Sequence, residues 1–410
     1  MNLRSKLPPK LRQFATVGAL IKLPLLLPAM LVVGIFILLR PFVIIQVYKV
    51  HDWRIGHMVS TTQRLTLEVR EWNLTHKKKK IVLYYFGSKS SSNNFFKKML
   101  MRHHLSLQNN WGFLLYYLCS QVSFLTAITI QQTIDNSGLL LKYGTELQFS
   151  ANEISEGSKF LSKFGLVPFG KFVCLNVRDD RFLEKSRRNK VFKHTPRNSN
   201  IETYLTAAEY LAERDYTIFR MGSSVNGQMS SPHKRIIDYA TNGMRTEFLD
   251  IFLGAHCKFS ISTGSGWDEI PKIFRRPVMF TNIVPILEIN EITRPVLIFP
   301  KQLLDQNSNQ LISINCALER SLANQSNANY LQENSVGLVD LSADDLMAAA
   351  SEMVARVEGT FVETPEQKQM QAKLKHILNT HPKIQPTPGY YSIRAEFASC
   401  FLSRYPHFLE

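Results

Sequence analysis

KFSISTGSGWDEIPKIFRRPVMFTN, Lys258 to Asn282, holds two apolar runs separated by a turn and a short helical stretch. Phe259-Ser260-Ile261-Ser262 alternates as a strand does, and Thr263-Gly264-Ser265-Gly266 breaks it with residues that bend easily. From about Trp267 to Phe274 the spacing is helical. Pro271 falls near the first turn, where a missing N–H costs little, and Arg275-Arg276 suit the negative end of the helix dipole. Strand character returns after Pro277. This order, strand, turn, helix, strand, builds a parallel sheet. Ligands of such sheets gather beyond the carboxyl ends of the strands, so the small-residue turn is a candidate anion site. For a glycine-serine turn alone, a tight connection without a ligand is the competing reading.

The same pattern continues upstream. KFVCLNVRDD, Lys171 to Asp180, reads as a buried strand that delivers Asn176, Arg178 and two aspartates into a strongly basic loop, RFLEKSRRNKVFKHTPRNSN. Asn198-Ser199-Asn200 caps the helix IETYLTAAEYLAERD, and DYTIFRMG is a strand closing on Arg220-Met221-Gly222. Arg178 and Arg220, both at strand ends, strengthen the anion-site reading; a structural ion pair of Arg178 with Asp179 is its alternative. SANEISEGSKFLSKFGL opens with a capping signal at Ser150 to Glu153 and stops at Gly165.

A second, earlier unit has the same logic. Phe42 to Val50 is a β-branched strand, Arg54-Ile55-Gly56-His57 a turn, Met58 to Trp72 an amphipathic helix, and IVLYYFG, after Lys77-Lys78-Lys79-Lys80, the next strand. The lysine run is a solvated strand entrance that can also rest on anionic head groups. His103-His104 has no metal-ligand spacing.

Ahead of this lies LPLLLPAMLVVGIFILL, Leu23 to Leu39, without a charge, preceded by Arg4, Lys6, Lys10, Arg12 and Lys22 and closed by Arg40-Pro41. It reads as a membrane element. At ~1.5 Å per residue it falls short of a ~30 Å hydrocarbon core, and Pro24 and Pro28 weaken its first half, so spanning and lying in the interface both stay open. A buried helix of a soluble core and a cleaved signal peptide are the alternatives.

The chain has 410 residues, 45% of them hydrophobic, and a net charge of +16, which calls for an anionic partner and excludes a disordered chain. Five scattered cysteines, with no CxxC pair, argue against a disulfide framework or a thiolate zinc site. Neither a dinucleotide-binding GxGxxG with its acidic partner nor a GxxxxGK[ST] loop occurs, and there is no GxSxG nucleophile elbow.

RIGHM at Arg54 to Met58, FVCLNVRDDRFLE, PRNSNIETYLTAAEYL, YTIFRMG and above all IIDYATNGMRTEFLDIFLGAHCKFSISTGSGWDEIPKIFRRPVMFTN resemble a bacterial family of glycosyltransferases linked to surface polysaccharides. More distantly they are similar to the two-Rossmann (GT-B) glycosyltransferases, including the fucosyltransferase-like branch. The resemblance implies an α/β chain with two Rossmann-like domains facing across a cleft and an N-terminal membrane-associated helix. Its expected divisions are a membrane segment at 1–41, an acceptor domain at 42–165, a donor domain at 166–362 and terminal helices at 363–410 that pack back across both. The expected reaction moves a sugar from a nucleotide-diphosphate sugar to a lipid-linked or growing saccharide, at the cytoplasmic face of a bacterial inner membrane. An anionic membrane surface is an expected partner and nucleic acid is not. No metal and no cofactor is expected. Donor-binding residues under the resemblance are Asn176, Arg178, Arg220, Gly222, Ser262, Thr263, Gly264, Ser265 and Gly266. Arg54 and Gly56 belong to the acceptor-side loop, and His57 and Asp238 are the candidate catalytic residues, with a helix-capping role the alternative for His57. Trp267-Asp268-Glu269 departs from the smaller, less charged residues of the family. A sugar-nucleotide epimerase of the same fold and a non-catalytic polyanion-binding protein are the competing functions.

Overall fold

The computed structural model describes residues 23–87, 91–126, 138–181, 196–286, 296–384 and 396–410. The basic start and most of the basic loop after Asp180 lie outside them. The chain forms two compact units, divided between Thr133 and Ile134.

The first unit opens with helix α1, Leu23–Leu39, followed by β1 (Val43–Val50), α2 (Ile55–Thr75), β2 (Lys79–Phe86), α3 (Asn94–His103), β3 (Ser106–Leu107) and α4 (Asn109–Cys119). Its three strands lie in the order β1-β2-β3, all parallel, with Val43 opposite Lys79 and Tyr84 opposite Ser106. The sequence predicts an amphipathic helix after the first strand, but α2 is buried at every residue from Met58 to Leu67. Its polar positions tolerate this because Ser60 and Thr66 donate to the carbonyls of Gly56 and Thr62, each at 2.8 Å, and Thr61 also accepts from the Tyr48 hydroxyl at 2.8 Å.

The second unit holds α5 (Ala151–Ser162), β4 (Phe172–Asn176), α6 (Leu205–Ala212), β5 (Thr217–Arg220), β6 (Ile236–Ile237), α7 (Glu247–His256), β7 (Phe259–Ser262), α8 (Glu269–Ile273), β8 (Val278–Ile283) and β9 (Val296–Pro300). There follow β10 (Gln302–Asp305), β11 (Gln310–Leu311) and β12 (Val336–Val339), then α9 (Ala343–Glu358), α10 (Pro365–Thr380), β13 (Glu396–Phe397) and α11 (Ser399–Arg404). Seven strands make one wholly parallel sheet in the order β13-β9-β8-β7-β4-β5-β6. Strands β4, β5, β7, β8 and β9 are buried at every residue, as a sheet with helices on both faces requires. β10, β11 and β12 form a small antiparallel sheet of their own.

The division falls earlier than the boundary expected at 165/166. Helix α5, counted from sequence with the first domain, belongs to the second unit, because Phe149 meets Phe252 edge-on at 5.5 Å and Phe160 lies 6.0 Å from Phe219. Within the second unit the terminal helices bond to α9 and their strand joins β9. Glu352 accepts from the backbone of Ser399 and Cys400 at 3.0 and 2.8 Å, Arg404 meets Asp345 at 2.7 Å, and β13 adds a strand beside β9.

Candidate functional site

The order of the large sheet reverses at one place. From β4 the chain proceeds outward through β5 and β6, then returns to β7 on the other side of β4 and proceeds through β8 and β9. The loops after β4 and β7 therefore leave in opposite directions, and between them lies the crevice in which doubly wound sheets hold their ligands. Asn176, the last residue of β4, pairs in register with Ser262, the last of β7.

Around that pair the quoted turn is locked from below. The buried Asp268 accepts from the Ser262 hydroxyl at 2.5 Å, from the Ser265 backbone N–H and from Asn176 Nδ2 at 3.3 Å. Asn176 Nδ2 also donates to Ser265 Oγ at 2.6 Å, and Thr263 Oγ1 accepts the backbone N–H of Arg178 at 2.8 Å. Burial pushes the Asp268 carboxyl up, and the hydrogen bonds from Ser262, Ser265 and Asn176 oppose that rise without cancelling it. Ser265 and Asp268 form a capping box. Gly264 takes φ +78°, and a Cβ there would lie 2.5 Å from the Ile283 side chain, so only glycine suits this position.

These bonds correct one expectation. Ser262 and Thr263 are fully buried and their hydroxyls are engaged inside the turn, so they shape it and do not offer themselves to a phosphate. The solvent side of the turn is Ser265, half-buried, and Gly266, exposed. Two arginines belong to the segments that bond to it. Arg178 is half-buried, and its carbonyl accepts the Ser199 N–H at 3.1 Å. Arg197, which the sequence shows only as part of the basic loop, donates from Nη2 to the Gly264 carbonyl at 2.6 Å, while its buried Nε has no hydrogen-bond partner. Asp179 and Asp180 tie the loops together: Asp179 accepts from the backbone of Asn226 at 2.6 Å and of Arg181 at 3.0 Å, and Asp180 accepts from the Asn198 side chain. Among the described residues no group of three His, Cys, Asp or Glu side chains is placed to hold a metal ion.

A second correction concerns the neighbouring strand ends. Arg220 is 1% exposed and its Nη1 pairs with Asp238 Oδ1 at 3.1 Å; Asp238 Oδ2 accepts the Met229 N–H at 2.8 Å. The two charges neutralise each other, so in this structure the expected donor and catalytic residues are paired with one another. Gly222, at φ +149° with Val225 beside it, serves the bend after β5.

The remaining candidates lie at the carboxyl end of β1 in the first unit. Arg54 is the N-terminal boundary of α2, with its guanidinium 4.5 Å from the Trp53 ring, and Gly56 accepts from Ser60. His57 sits in the first turn of α2, its ring 6.4 Å from that of Trp53. Nearby is a residue the sequence did not single out. Asp52 is wholly buried, its Oδ2 pairs with Lys97 at 3.2 Å, and its Oδ1 has no hydrogen bond.

No protein-family model matches the chain, and no curated protein matches it. Among solved structures it is similar to a family 9 glycosyl transferase from Veillonella parvula DSM 2008, at 12% identity and a TM-score of 0.34, over 57% of this chain and 79% of that one. It is similar also to the ADP-heptose lps heptosyltransferase II of E. coli, at 12% identity and a TM-score of 0.33, over 59% and 86% of the two chains. Likeness at that level establishes neither a shared activity nor a shared ligand.

Proposed function

We propose that the protein is a glycosyltransferase whose second unit binds a nucleotide-diphosphate sugar in the crevice between β4 and β7, and whose acceptor is a growing or lipid-linked surface saccharide. The observation that carries the reading is the coincidence, at the reversal point of the sheet, of a rigid glycine-containing turn with Arg178 and Arg197. A diphosphate leaving group gains negative charge as the sugar departs, and fixed guanidinium groups stabilise that charge without a metal. The sequence resemblance to polysaccharide glycosyltransferases supports sugar transfer as the chemistry. In this reading Asp268, Ser262 and Asn176 hold the turn in place, and His57 is the candidate base on the acceptor side. The enzyme would work where nucleotide sugars are made, on the cytoplasmic side of the membrane.

The test is a thermal-shift screen of the full chain against nucleoside diphosphates and their sugars, followed by an assay for released nucleoside diphosphate with and without a saccharide-lipid extract. One nucleotide class should raise the melting temperature, and release should require the extract. Conversion of the sugar without any acceptor would instead identify an epimerase, and folded protein that responds to no nucleotide would overturn the donor site.

A further inference from the structure

The first unit carries a bare apolar face beside a cluster of lysines. Helix α1 turns one side inward: Ala29 and Val33 are buried, and Val32 and Phe36 pack against the small core of Val47, Tyr85, Leu115 and Cys119. On its other side Leu27, Met30, Leu31, Ile35 and Leu38 recur at helical spacing, with Leu27 and Leu38 each 76% exposed. A methyl group at Gly34, between Met30 and Leu38 on the same side, would meet nothing within 4 Å. Just past the helix, Phe42 is 78% exposed.

The sheet register then decides what lies next to this face. Val43 pairs with Lys79 and Ile44 with Lys80, so Phe42 and the exposed Arg40 enter the sheet at the same end as Lys77 to Lys80. Lys77 and Lys79 are exposed, and Lys80 lies over the Trp72 ring at 4.3 Å. Far apart in sequence, the end of the uncharged helix and the lysine run thus lie at the same end of the sheet.

Lipid is the occupant that fits both halves. A second protein would match the apolar stripe but has no need of the lysines, whereas an anionic leaflet offers acyl chains to the one and head groups to the other. A spanning helix is surrounded by lipid or by other spanning helices, but α1 is held along one side by the core of an α/β unit. We propose that α1 lies in the plane of a single anionic leaflet, with Leu27, Leu31, Ile35, Leu38 and Phe42 among the acyl chains and Lys77 and Lys79 on the head groups. This docking surface is independent of the donor-site reading.

Vesicle flotation of the full chain tests it, with phosphatidylcholine alone or mixed with phosphatidylglycerol as the probe. The protein should float with the mixed vesicles, be released by high salt, and bind pure phosphatidylcholine weakly. Lys77→Gln/Lys79→Gln should weaken binding on the order of tenfold or more, and Leu31→Ser/Leu38→Ser should abolish it. All four positions are exposed, and an unchanged melting temperature confirms that each variant is folded. Retention in high salt with no effect of the lysine variant would overturn in-plane docking in favour of a spanning anchor. Absence of vesicle binding, or a stable dimer that Leu31→Ser/Leu38→Ser dissociates, would overturn the lipid assignment.

Discussion

Two neighbouring strand ends of the second unit carry the same ingredients, an arginine, an aspartate and a glycine, yet do different things. At the end of β5, Arg220 and Asp238 pair with each other inside the protein, and the bend at Gly222 merely closes the loop. At the ends of β4 and β7 the buried Asp268 is met by hydroxyls, an amide and a backbone N–H, while Arg197 bonds to the turn at the Gly264 carbonyl. A buried carboxylate satisfied by neutral donors does not draw on an arginine side chain; one paired with an arginine does.

The largest effect expected from this contrast is on stability. Arg220→Ala strands the Asp238 carboxylate in the interior and should cost about 3–5 kcal/mol in denaturant unfolding. A folded Arg220→Lys variant should keep its nucleotide-induced thermal shift, and loss of that shift would return Arg220 to the donor site.

Next is the turn itself. Asp268→Ala removes the acceptor of four hydrogen bonds and should destabilise the unit by about 1–3 kcal/mol, while also erasing nucleotide binding because Ser265 and Gly266 lose their position. Retained affinity in that variant would show that the turn is not part of the site.

Arg197→Gln should act in the opposite way, with unfolding free energy changed by no more than about 1 kcal/mol and nucleoside diphosphate affinity reduced about tenfold, since a charge-assisted contact is lost. A calorimetric titration gives the answer, and equal affinity in the variant would remove Arg197 from the ligand contacts.

The smallest effect is on pH dependence. Because the Asp268 carboxyl is raised, the folded chain holds that proton more tightly than the unfolded chain. The group's contribution to stability is therefore fully present below the ordinary aspartate range and is lost as pH rises through the raised value. Asp268→Asn should flatten that part of the stability curve, measured by melting temperature against pH, whereas an unchanged curve would mean that the carboxyl is not the titrating group.

Much of the α/β architecture was legible because apolar periodicity is a local property. The strand from Phe172 to Asn176, the cap at Ser150 and the turn at Thr263 to Gly266 each follow from a few adjacent residues. The capping box of Ser265 and Asp268 was legible too, three residues apart, although the sequence reading used Asp268 only as a departure from a family pattern. Arg197 was not legible in this way. Its partner is 67 residues away at Gly264, and no local rule connects the two.

By itself the sequence determined the order of strands and helices, the glycine positions and the apolar length of the first helix, since these depend on neighbouring side chains and backbone preference. The tertiary structure alone decided which charges cancel. Arg178 and Arg220 look alike at the ends of their strands, and only strand order sets one beside a neutral network and the other against Asp238. It decided likewise that the end of the uncharged helix and the four lysines lie at the same end of the first sheet, because sheet register acts across distances that sequence patterns do not span.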